Sequence, residues 1–246
     1  MFLYKKMDFN LVTFADTKYT KTLNRIKQEA INLNLFNNIF AWNENDLDID
    51  FVEKHMDFIT KNKRGYGYWI WKPQIILQAL KKTPKGSVLV YCDAGCSLNT
   101  SGINRLKEYG EMVKNHPSGI LSFELSHMVK SFTKMDLMHY FNFLKQEELS
   151  SYQIVAGVII IHNTDAVYNF FYKWLNTCVI DNYRYIDDSP SIIPNTEFFI
   201  EHRHDQSIFS ILCKQNQCLI IPDETYWENA WDKNSHYPIH ARRFKF

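Results

Sequence analysis

The stretch GSVLVYCDAGCSLN (residues 86–99) carries a run of apolar side chains that ends in an aspartate, Asp93, and a glycine, Gly95. Apolar residues in succession, without polar residues between them, are typical of a strand that is buried on both faces. Such strands occur in α/β proteins, in which helices cover both faces of a parallel sheet. The stretch therefore predicts a central strand, with Asp93 at the edge of the sheet where this strand ends.

Strand-like and helix-like segments alternate on both sides of this stretch. Further strands are predicted at residues 9–15, 37–42, 119–125, 152–163 and 218–223. Apolar residues at helical spacing predict helices at residues 17–33, 48–60, 73–82, 103–115, 135–145, 165–179 and 205–215. This alternation predicts an α/β fold, with a mainly parallel central sheet flanked by helices in one domain. Residues 181–197 have no regular pattern, and we expect them to form a lid or an excursion over a site.

Composition and charge exclude several classes of protein. Hydrophobic residues make up 46% of the 246 residues and charged residues 22%, which is typical of a globular protein and not of a disordered chain. The net charge of +1 gives no indication of nucleic-acid binding. The five cysteines are scattered without a CxxC pair, which indicates a reducing compartment and argues against both a disulfide framework and a zinc site.

No targeting or membrane-spanning segment is predicted. Residues 1–9 lack the apolar core of a signal peptide, and the longest apolar run, residues 154–161, is far shorter than the roughly 20 residues that span a bilayer. We therefore expect a cytoplasmic protein. The C-terminal ARRFKF (residues 241–246) combines cations with phenylalanine. We expect it to be a frayed, solvated tail, with peripheral association at a membrane surface as the alternative.

Asp93 is a candidate metal ligand. In open α/β sheets, ligands collect at the carboxyl ends of the strands, where this carboxylate is predicted to lie. A hard oxygen ligand suits Mg²⁺ or Mn²⁺ better than zinc, and Gly95 lets a ligand approach the backbone. The alternative is that Asp93 only begins a turn.

The stretch RGYGYWIWKP (residues 64–73) is a candidate phosphate site. Pro73 is expected at the first position of a helix, with Lys72 extended beside the helix N-terminus. Free amides and the helix dipole favour an anion there, so Lys72 and Arg64 predict a seat for phosphate. The two glycines leave room for a ligand against the rings, although we expect most of the rings to fill the core. The alternatives for the cations are that Lys72 is solvated and that Arg64 pairs with a carboxylate.

Polar residues at three further places are candidates. After the first strand, Asp16 can accept hydrogen bonds from a base or ribose and Tyr19 can stack on a base; the alternative is that Asp16 caps the next helix. At the start of the last predicted helix, Asp205 is either an N-cap or a general base. Near the C-terminus, His240 or His236 is a candidate to close over a metal ion or a phosphate.

The order of these motifs resembles that of nucleotide-sugar-dependent glycosyltransferases of the GT-A fold. The resemblance is carried by TFADTKY (13–19), GYGYWIWKP (65–73), VYCDAG (90–95), IVAGVIIIHNT (154–164) and HRHDQS (202–207). It looks closest to the compact enzymes of bacterial surface-polysaccharide clusters and of large DNA viruses, and it spans roughly residues 9–215.

The resemblance implies a single domain over residues 1–246. Its nucleotide-binding half would lie at about 9–95, its acceptor half at about 96–222 and its tail at 223–246. The implied reaction moves a sugar from a nucleotide-diphosphate donor, a UDP-sugar in the first instance, to a glycan or a lipid-linked acceptor. Enzymes of this kind usually use Mn²⁺ or Mg²⁺.

By position, the resemblance also implies a donor site and an acceptor site. The implied donor residues are Thr13, Ala15, Asp16, Tyr19, Arg64, Trp69, Lys72, Asp93, Ala94 and Gly95. The implied sugar and acceptor residues are Ala156, Gly157, His204, Asp205 and Gln206, and the implied catalytic residues are Asp93 and Asp205. Asp93 matches the first acid of the family's Asp-x-Asp metal motif, Gly95 stands in place of the second, and His240 is the implied further metal ligand.

The implied chemistry leaves several alternatives open. A divalent cation with Lys72 and Arg64 would stabilise the charge that develops on the leaving diphosphate. Asp205 would be the base of an inverting enzyme, whereas in a retaining enzyme the leaving phosphate takes that role. A non-catalytic nucleotide-sugar or glycan-binding module is a further alternative, favoured by the missing second acid. A sugar nucleotidyltransferase is another, but the first strand is not followed by the glycine-rich loop that such enzymes normally have.

Overall fold

The structure, a computed structural model, describes residues 7–246. The strands are β1 Phe9–Phe14, β2 Phe36–Trp42, β3 Val88–Cys92, β4 Ser97–Leu98, β5 Ile120–Met128, β6 Tyr152–Ile154, β7 Val158–His162, β8 Leu219–Pro222 and β9 Ile239–His240. The helices are α1 Thr20–Asn32, α2 Ile49–Lys61, α3 Gly65–Tyr68, α4 Trp71–Lys82, α5 Ile103–Lys114, α6 Val129–Phe132, α7 Met135–Tyr140, α8 Gln146–Leu149, α9 Asp165–Val179 and α10 His204–Gln215. Short 3₁₀ turns lie at Thr17–Tyr19, Glu44–Asp46, Thr100–Gly102, Asp181–Tyr183 and Asp232–Asn234.

Seven strands form the central sheet, in the order β2-β1-β3-β7-β5-β6, with β8 also paired to β5. The strands β1, β2, β3, β5 and β8 run in one direction. The strand β1 pairs in parallel with β2 and β3, β8 pairs in parallel with β5, and β7 pairs in antiparallel orientation with both β3 and β5. The strands β6 and β7 run in the opposite direction. The predicted α/β fold with a mainly parallel sheet flanked by helices is therefore confirmed.

Two apolar layers, one on each face of the sheet, hold the elements together. Because side chains alternate along a strand, Leu89 and Tyr91 of β3 point into one layer with α4, α9 and α10. Val88 and Val90 point into the other layer with α1 and α5. All residues of β3 are buried, as the apolar run predicted. Each fully buried Val or Leu contributes roughly 1.5–3 kcal/mol, so β3 is a rigid base for Asp93, the residue that follows it.

The segment at residues 152–163, predicted as one long strand, is interrupted. The strands β6 and β7 lie on either side of residues 155–157, and both pair with β5 in antiparallel orientation. The interruption releases the carbonyl groups of Ala156 and Gly157 from the sheet, and they accept hydrogen bonds from Lys72 and Asp93 instead.

The start of α4 also differs from the prediction. The helix begins at Trp71, so Lys72 lies inside it and Pro73 is its third residue. The expectation that Lys72 is extended beside the helix start is therefore wrong. Proline is tolerated at this position because the first four N–H groups of a helix have no partner within the helix. The helix predicted at residues 135–145 is shorter than expected and ends at Tyr140.

Residues 181–197 form an irregular excursion, as predicted, with only the 3₁₀ turn at its start. Ion pairs hold it against the rest of the fold: Lys134 Nζ lies 3.0 Å from Asp187 Oδ1, and an Arg64 guanidinium nitrogen lies 3.2 Å from Asp188 Oδ2. Among the helices of residues 7–246, none combines the length and the apolar character that crossing a bilayer requires.

The C-terminal residues are docked against the fold, so the expectation of a frayed tail is wrong. The strand β9 pairs with β4 and brings the chain back to the loop after β3. Beyond β9, the amide of Ala241 donates to the carbonyl of Thr225 at 2.7 Å, and the amide of Phe244 donates to the carbonyl of Gly95 at 2.9 Å. The amide of Phe246 donates to the Thr22 hydroxyl.

Candidate active site

A cleft of about 1500 Å³ opens at the edge of the sheet where β1 and β3 end. The residues of the predicted site that line it are Ala15, Asp16, Tyr19, Arg64, Trp69, Lys72, Asp93, Ala94, Gly95, Ala156, Gly157, His204, Asp205 and Gln206. Thr13 does not line it, because its side chain is fully buried within β1. The prediction that Thr13 contacts a donor is therefore corrected.

Lys72 and Asp205 form a buried ion pair in the wall of this cleft. The distance from Lys72 Nζ to Asp205 Oδ2 is 2.6 Å, and the two residues are 3% and 5% exposed. Lys72 Nζ also lies 3.4 Å from Asp93 Oδ1 and donates to the carbonyl of Ala156 at 3.3 Å. The ammonium thus joins carboxylates that come from the end of β3 and from α10. The alternative that Lys72 is solvated is excluded by this burial.

Burial and charge act in opposite directions on the titration of this pair. Burial lowers the pKa of the Lys72 ammonium, but the carboxylates of Asp205 and Asp93 outweigh burial and hold the pKa above its ordinary value. Burial raises the pKa of Asp205 to about 6, although Lys72 opposes the shift. Asp205 is therefore an ionised carboxylate at neutral pH, close enough to its titration point to accept a proton from a bound hydroxyl.

Asp93 is held by backbone and side-chain contacts at the end of β3. Its amide donates to the carbonyl of Gly157 at 2.9 Å, and the hydroxyl of Tyr91 donates to its Oδ1. A Cβ at position 157 would lie 2.9 Å from Asp93 Oδ2, so the glycine keeps space free for this carboxylate. The Asp93 side chain is 44% exposed to the cleft and is available to a ligand.

The stretch from Gly65 to Trp69 forms a left-handed turn, which the sequence reading did not anticipate. The φ angles of its five residues are +57°, +53°, +81°, +51° and +63°. The amide of Trp69 donates to the carbonyl of Gly65 at 3.1 Å, as in a helical turn. A Cβ at Gly65 would lie 2.5 Å from the Trp69 ring, and a Cβ at Gly67 would lie 2.8 Å from Ile59 Cγ1. Left-handed backbone costs roughly 1–2 kcal/mol for each residue other than glycine, so packing must hold this turn.

This turn divides the aromatic rings between the cleft and the core. Tyr66 and Trp69 line the cleft. Trp71 also borders it but is 5% exposed, stacks on Phe14 at 4.1 Å and donates its indole N–H to the carbonyl of Gly65. The rings therefore form part of a wall, with most of the surface of Trp71 in the core.

Arg64 and His204 both contact Asp188, a residue of the excursion at residues 181–197. The alternative that Arg64 pairs with a carboxylate is what the structure shows, since the pair with Asp188 is 3.2 Å long. His204 Nε2 lies 3.5 Å from the same carboxylate, and the ring stacks on Tyr68 at 4.8 Å. Burial lowers the pKa of His204. Asp188 therefore links the left-handed turn to the start of α10.

The two N-cap alternatives have different outcomes. The carboxylate of Asp16 accepts from the amide of Lys18 at 3.1 Å and caps the 3₁₀ turn, while it also lines the cleft. Burial, followed by the charge of Glu44, raises its pKa. Asp205 is not a cap, because Arg203 holds the N-cap position of α10 and Asp205 lies buried in the first turn.

His240 does not lie with Asp93. It is 3% exposed within β9, its Nε2 is 3.2 Å from the carbonyl oxygen of Asn234, and its ring packs against Trp227 and Trp231. Neither His240 nor His236 belongs to the residues that line the cleft. The predicted sharing of a metal site by His240 and Asp93 is therefore corrected: pairing of β9 with β4 buries this histidine among the rings of Trp227 and Trp231, behind the lining of the cleft.

The residues around Asp93 do not fit a divalent cation bound in the manner of an Asp-x-Asp motif. The carboxylate already accepts the Tyr91 hydroxyl and faces the Lys72 ammonium. Gly95 stands at the position of the second acid, and a Cβ added there would lie 3.2 Å from Arg243 Cα. Within residues 7–246, no three His, Cys, Asp or Glu side chains are grouped so that they could hold a metal ion. Of the residues expected to bind Mn²⁺ or Mg²⁺, the carboxylate of Asp93 is thus the one that lines the cleft.

Sequence reasoning missed Arg25, which fixes the loop after β3. Its guanidinium donates to the carbonyls of Ala94 and Cys96 at 2.8 and 2.6 Å. It also pairs with Glu29 at 2.6 Å, and Glu29 accepts from the amide of Leu98. The spacing of Arg25 and Glu29 on α1 indicated only a helical ion pair; nothing in the pattern pointed to the carbonyls.

The cleft also contains side chains that were not predicted to belong to the site. They include Glu124, Leu125, Ser126, His127, Tyr152, Asp223, Tyr226, Trp227, Glu228, Arg243, Phe244 and Lys245. Carboxylates beside aromatic rings are suited to a ligand with several hydroxyl groups and an apolar face.

Comparison with known proteins identifies the class of fold. No protein-family model matches this chain, and no curated protein matches its sequence. A crystal structure of a glycosyltransferase involved in glycosylation of the major capsid of PBCV-1 matches with a TM-score of 0.53 and 12% identity, covering 95% of this chain and 91% of that chain. The bifunctional glycosyltransferase WbbM matches with a TM-score of 0.51 and 11% identity, covering 91% of this chain and 40% of that chain. The protein therefore has the GT-A fold of glycosyltransferases, as the motif order predicted.

Proposed function

We propose that this protein is a glycosyltransferase that moves a sugar from a nucleotide-diphosphate donor, a UDP-sugar in the first instance, to a glycan or a lipid-linked acceptor. One observation carries the proposal: Lys72, Asp93 and Asp205, from three separate elements, converge in one cleft at the carboxyl edge of the sheet. Ligands of open α/β sheets bind at this edge. Because one fold hosts many activities, the proposal rests on this site more than on the fold.

The donor is proposed to lie along the ends of β1 and β3. Asp16 and Tyr19 would receive the nucleoside, and the loop from Asp93 to Gly95 would receive the diphosphate. The sugar would lie over Ala156 and Gly157, where the side chains are small enough to leave room. This arrangement assigns residues 9–95 mainly to the donor and residues 96–222 mainly to the acceptor.

The chemistry follows from the charges in the cleft. The acceptor hydroxyl attacks the anomeric carbon, the bond from that carbon to the diphosphate oxygen breaks, and the nucleoside diphosphate leaves with the electron pair. In an inverting reaction Asp205 takes the proton of the hydroxyl, and Lys72 keeps Asp205 ionised at neutral pH. In a retaining reaction the leaving diphosphate takes this proton, and Asp205 binds the acceptor hydroxyl.

A donor screen tests the proposal. Melting temperature is measured with UDP-, GDP- and dTDP-sugars, with and without Mn²⁺, and release of nucleoside diphosphate is then measured for each donor that stabilises the protein. We expect at least one donor to bind and to be consumed by transfer or hydrolysis. A donor that binds and is never consumed would instead identify a non-catalytic binding module.

A sugar nucleotidyltransferase would give a different product. It would release pyrophosphate from a nucleoside triphosphate and a sugar phosphate. The turn that follows β1, Thr17–Tyr19, contains no glycine, and Asp16 caps it. It therefore lacks the glycine-rich backbone with which a loop surrounds a triphosphate.

A further inference from the structure

The C-terminal segment Ala241–Phe246 abuts Gly95, the position that corresponds to the second acid of a metal motif. Phe244 donates its amide to the carbonyl of Gly95. A Cβ on Gly95 would lie 3.2 Å from both Arg243 Cα and the carbonyl oxygen of Phe244, closer than side chains normally approach. The Cβ of an aspartate at position 95 would therefore require the backbone of this segment to shift by a few tenths of an ångström.

The net charge of Lys72, Asp93 and Asp205 does not compensate the charge of a diphosphate. Lys72 contributes one positive charge, whereas Asp93 and Asp205 contribute two negative charges, so the three together are negative by one when all are ionised. A leaving diphosphate adds further negative charge next to Asp93. Cations from elsewhere are needed to stabilise it.

Arg243 and Lys245 line the cleft on the segment that abuts Gly95, and the Arg243 guanidinium lies 5.2 Å from the centroid of the Tyr226 ring. Of the other cations that line the cleft, Arg64 pairs with Asp188 and Arg203 pairs with Glu201 at 2.7 Å. Within residues 7–246, neither Arg243 nor Lys245 lies within 4.0 Å of a carboxylate oxygen. Lys18 and Lys63 also line the cleft without such a pair, but they are not on the segment that abuts Gly95.

The backbone conformation of Arg243 is a second observation in favour of a binding role for this residue. Its φ is +58°, a left-handed conformation that favours glycine. The segment is nevertheless tethered on both sides of this residue, by Ala241 to Thr225 and by Phe246 to Thr22. The Phe244 ring also lies 5.0 Å from the guanidinium of Arg25, which fixes the loop after β3. Backbone strain is concentrated at functional sites, and here it occurs in a tethered segment that lines the cleft.

We propose that Arg243 and Lys245 bind the donor diphosphate in place of a divalent cation, so that donor binding needs no metal. The inference rests on the proposed function, because it concerns the same donor site. The cations neutralise the diphosphate directly, and the C-terminal segment is a structural part of the donor pocket.

Calorimetric titration of the full chain with nucleoside diphosphates tests this inference. UDP, GDP, ADP, CDP and dTDP are each titrated after treatment with EDTA and again with added Mn²⁺. We expect at least one to bind, with dissociation constants that agree within about twofold in the two conditions. Arg243→Ala is expected to weaken this binding about tenfold or more, as loss of a charged hydrogen bond does, while the corresponding nucleoside binds equally to both proteins.

Two variants separate the role in binding from a structural role. Arg242→Ala is the matched control, because Arg242 is the neighbouring cation, lies over the Trp231 ring at 5.0 Å and does not line the cleft. We expect its affinity to stay within about twofold of wild type. Arg243→Gly relieves the left-handed backbone, so the melting temperature should hold or rise while diphosphate affinity falls.

The outcomes are distinguishable. Binding that requires Mn²⁺ would overturn the inference and leave the proposed function standing. Equal diphosphate affinity of Arg243→Gly and Arg242→Ala would overturn it as well. If no nucleoside diphosphate binds in either condition, the proposed function fails, and the inference fails with it.

Discussion

Lys72 Nζ and Asp205 Oδ2 lie 2.6 Å apart, and both residues are almost fully buried in the wall of the cleft. A buried ion pair is weak support for stability, because removing both charges from water costs several kcal/mol. Titratable groups whose pKa values are shifted by burial and by a specific partner are concentrated at functional sites. The pair therefore marks the place where we expect the chemistry.

The pH dependence of transfer should report Asp205. Its pKa is raised to about 6 by burial, so kcat/KM is expected to fall as the pH drops below about 6 and the base becomes protonated. Activity is measured between pH 5 and 9. The control is Asp165→Asn, which removes the partner of the exposed Lys85, 2.7 Å away, and should leave the profile unchanged. A flat profile between pH 5 and 7 is incompatible with Asp205 as the base.

Lys72→Met should destabilise the protein more at pH 8 than at pH 5. Lys72 lowers the pKa of Asp205, so its removal raises that pKa further above the ordinary value of 3.8. A carboxylate whose pKa is higher in the folded than in the unfolded state stabilises the fold at a pH below its unfolded pKa. This stabilisation is lost as the pH rises through the pKa of the folded state. Each further unit of pKa adds about 1.4 kcal/mol of destabilisation at pH 8.

Urea unfolding of the wild type and of Lys72→Met at both pH values measures this effect. The exposed cation Lys85, replaced by Met, is the control and should change stability little at either pH. If Lys72→Met lowers stability equally at pH 5 and pH 8, the charges of Lys72 and Asp205 are not coupled, which would contradict the ion pair in the structure.

Gly157→Ala should reduce activity with little loss of stability. The new Cβ would lie 2.9 Å from Asp93 Oδ2. A carboxylate at the end of a short side chain can turn away, so we expect a destabilisation below about 1 kcal/mol. Displacement of a site carboxylate by about 1 Å can lower the rate by as much as about a hundredfold. Release of nucleoside diphosphate measures the activity. In an Asp93→Ala background the effect through this carboxylate is absent, so any loss of activity that remains there reports the proposed contact of Gly157 with the sugar, and an undiminished loss would contradict the role of Asp93.

The left-handed turn can be tested with two glycines of nearly equal φ. Gly67 has φ +81° and Gly86 has φ +80°, but a Cβ on Gly67 would lie 2.8 Å from Ile59 Cγ1, whereas a Cβ on Gly86 would meet nothing within 4 Å. Gly86→Ala should cost about 1–2 kcal/mol from the backbone alone. Gly67→Ala should cost a further 1–3 kcal/mol, roughly, from the steric overlap. Chemical denaturation measures both, and equal losses would argue against close packing at Gly67.

The sequence predicted the parts of the fold and site that depend on local patterns. The apolar run before Asp93 indicated a strand buried on both faces, and the helical spacing after Asp205 indicated α10. Both carboxylates line the cleft because the parallel strands and the helix start meet at one edge of the sheet. The sequence also points to Lys72, although through a helix N-terminus rather than through the buried ion pair that it forms.

The parts that the sequence did not predict depend on contacts distant in the chain. The glycines of GYGYW permit positive φ angles, but Tyr66, Tyr68 and Trp69 adopt them too because packing holds the turn. The C-terminal cations looked solvated because nothing in ARRFKF shows that its backbone docks on Gly95, about 150 residues earlier in the chain. His240 was misplaced for the same reason, since pairing of β9 with β4 decides its direction.

The most direct test of the proposed function is release of nucleoside diphosphate from nucleotide-sugars by wild type, Asp205→Asn and Asp165→Asn at pH 7.5. The first substitution removes the charge of the buried site carboxylate, and the second removes an equivalent charge from a surface ion pair. We predict that wild type and Asp165→Asn turn over at least one donor at equal rates, and that Asp205→Asn is slower by about a hundredfold or more. Equal rates for all three proteins, or binding of donor without any turnover, would contradict the assignment of the cleft as the active site of a glycosyltransferase.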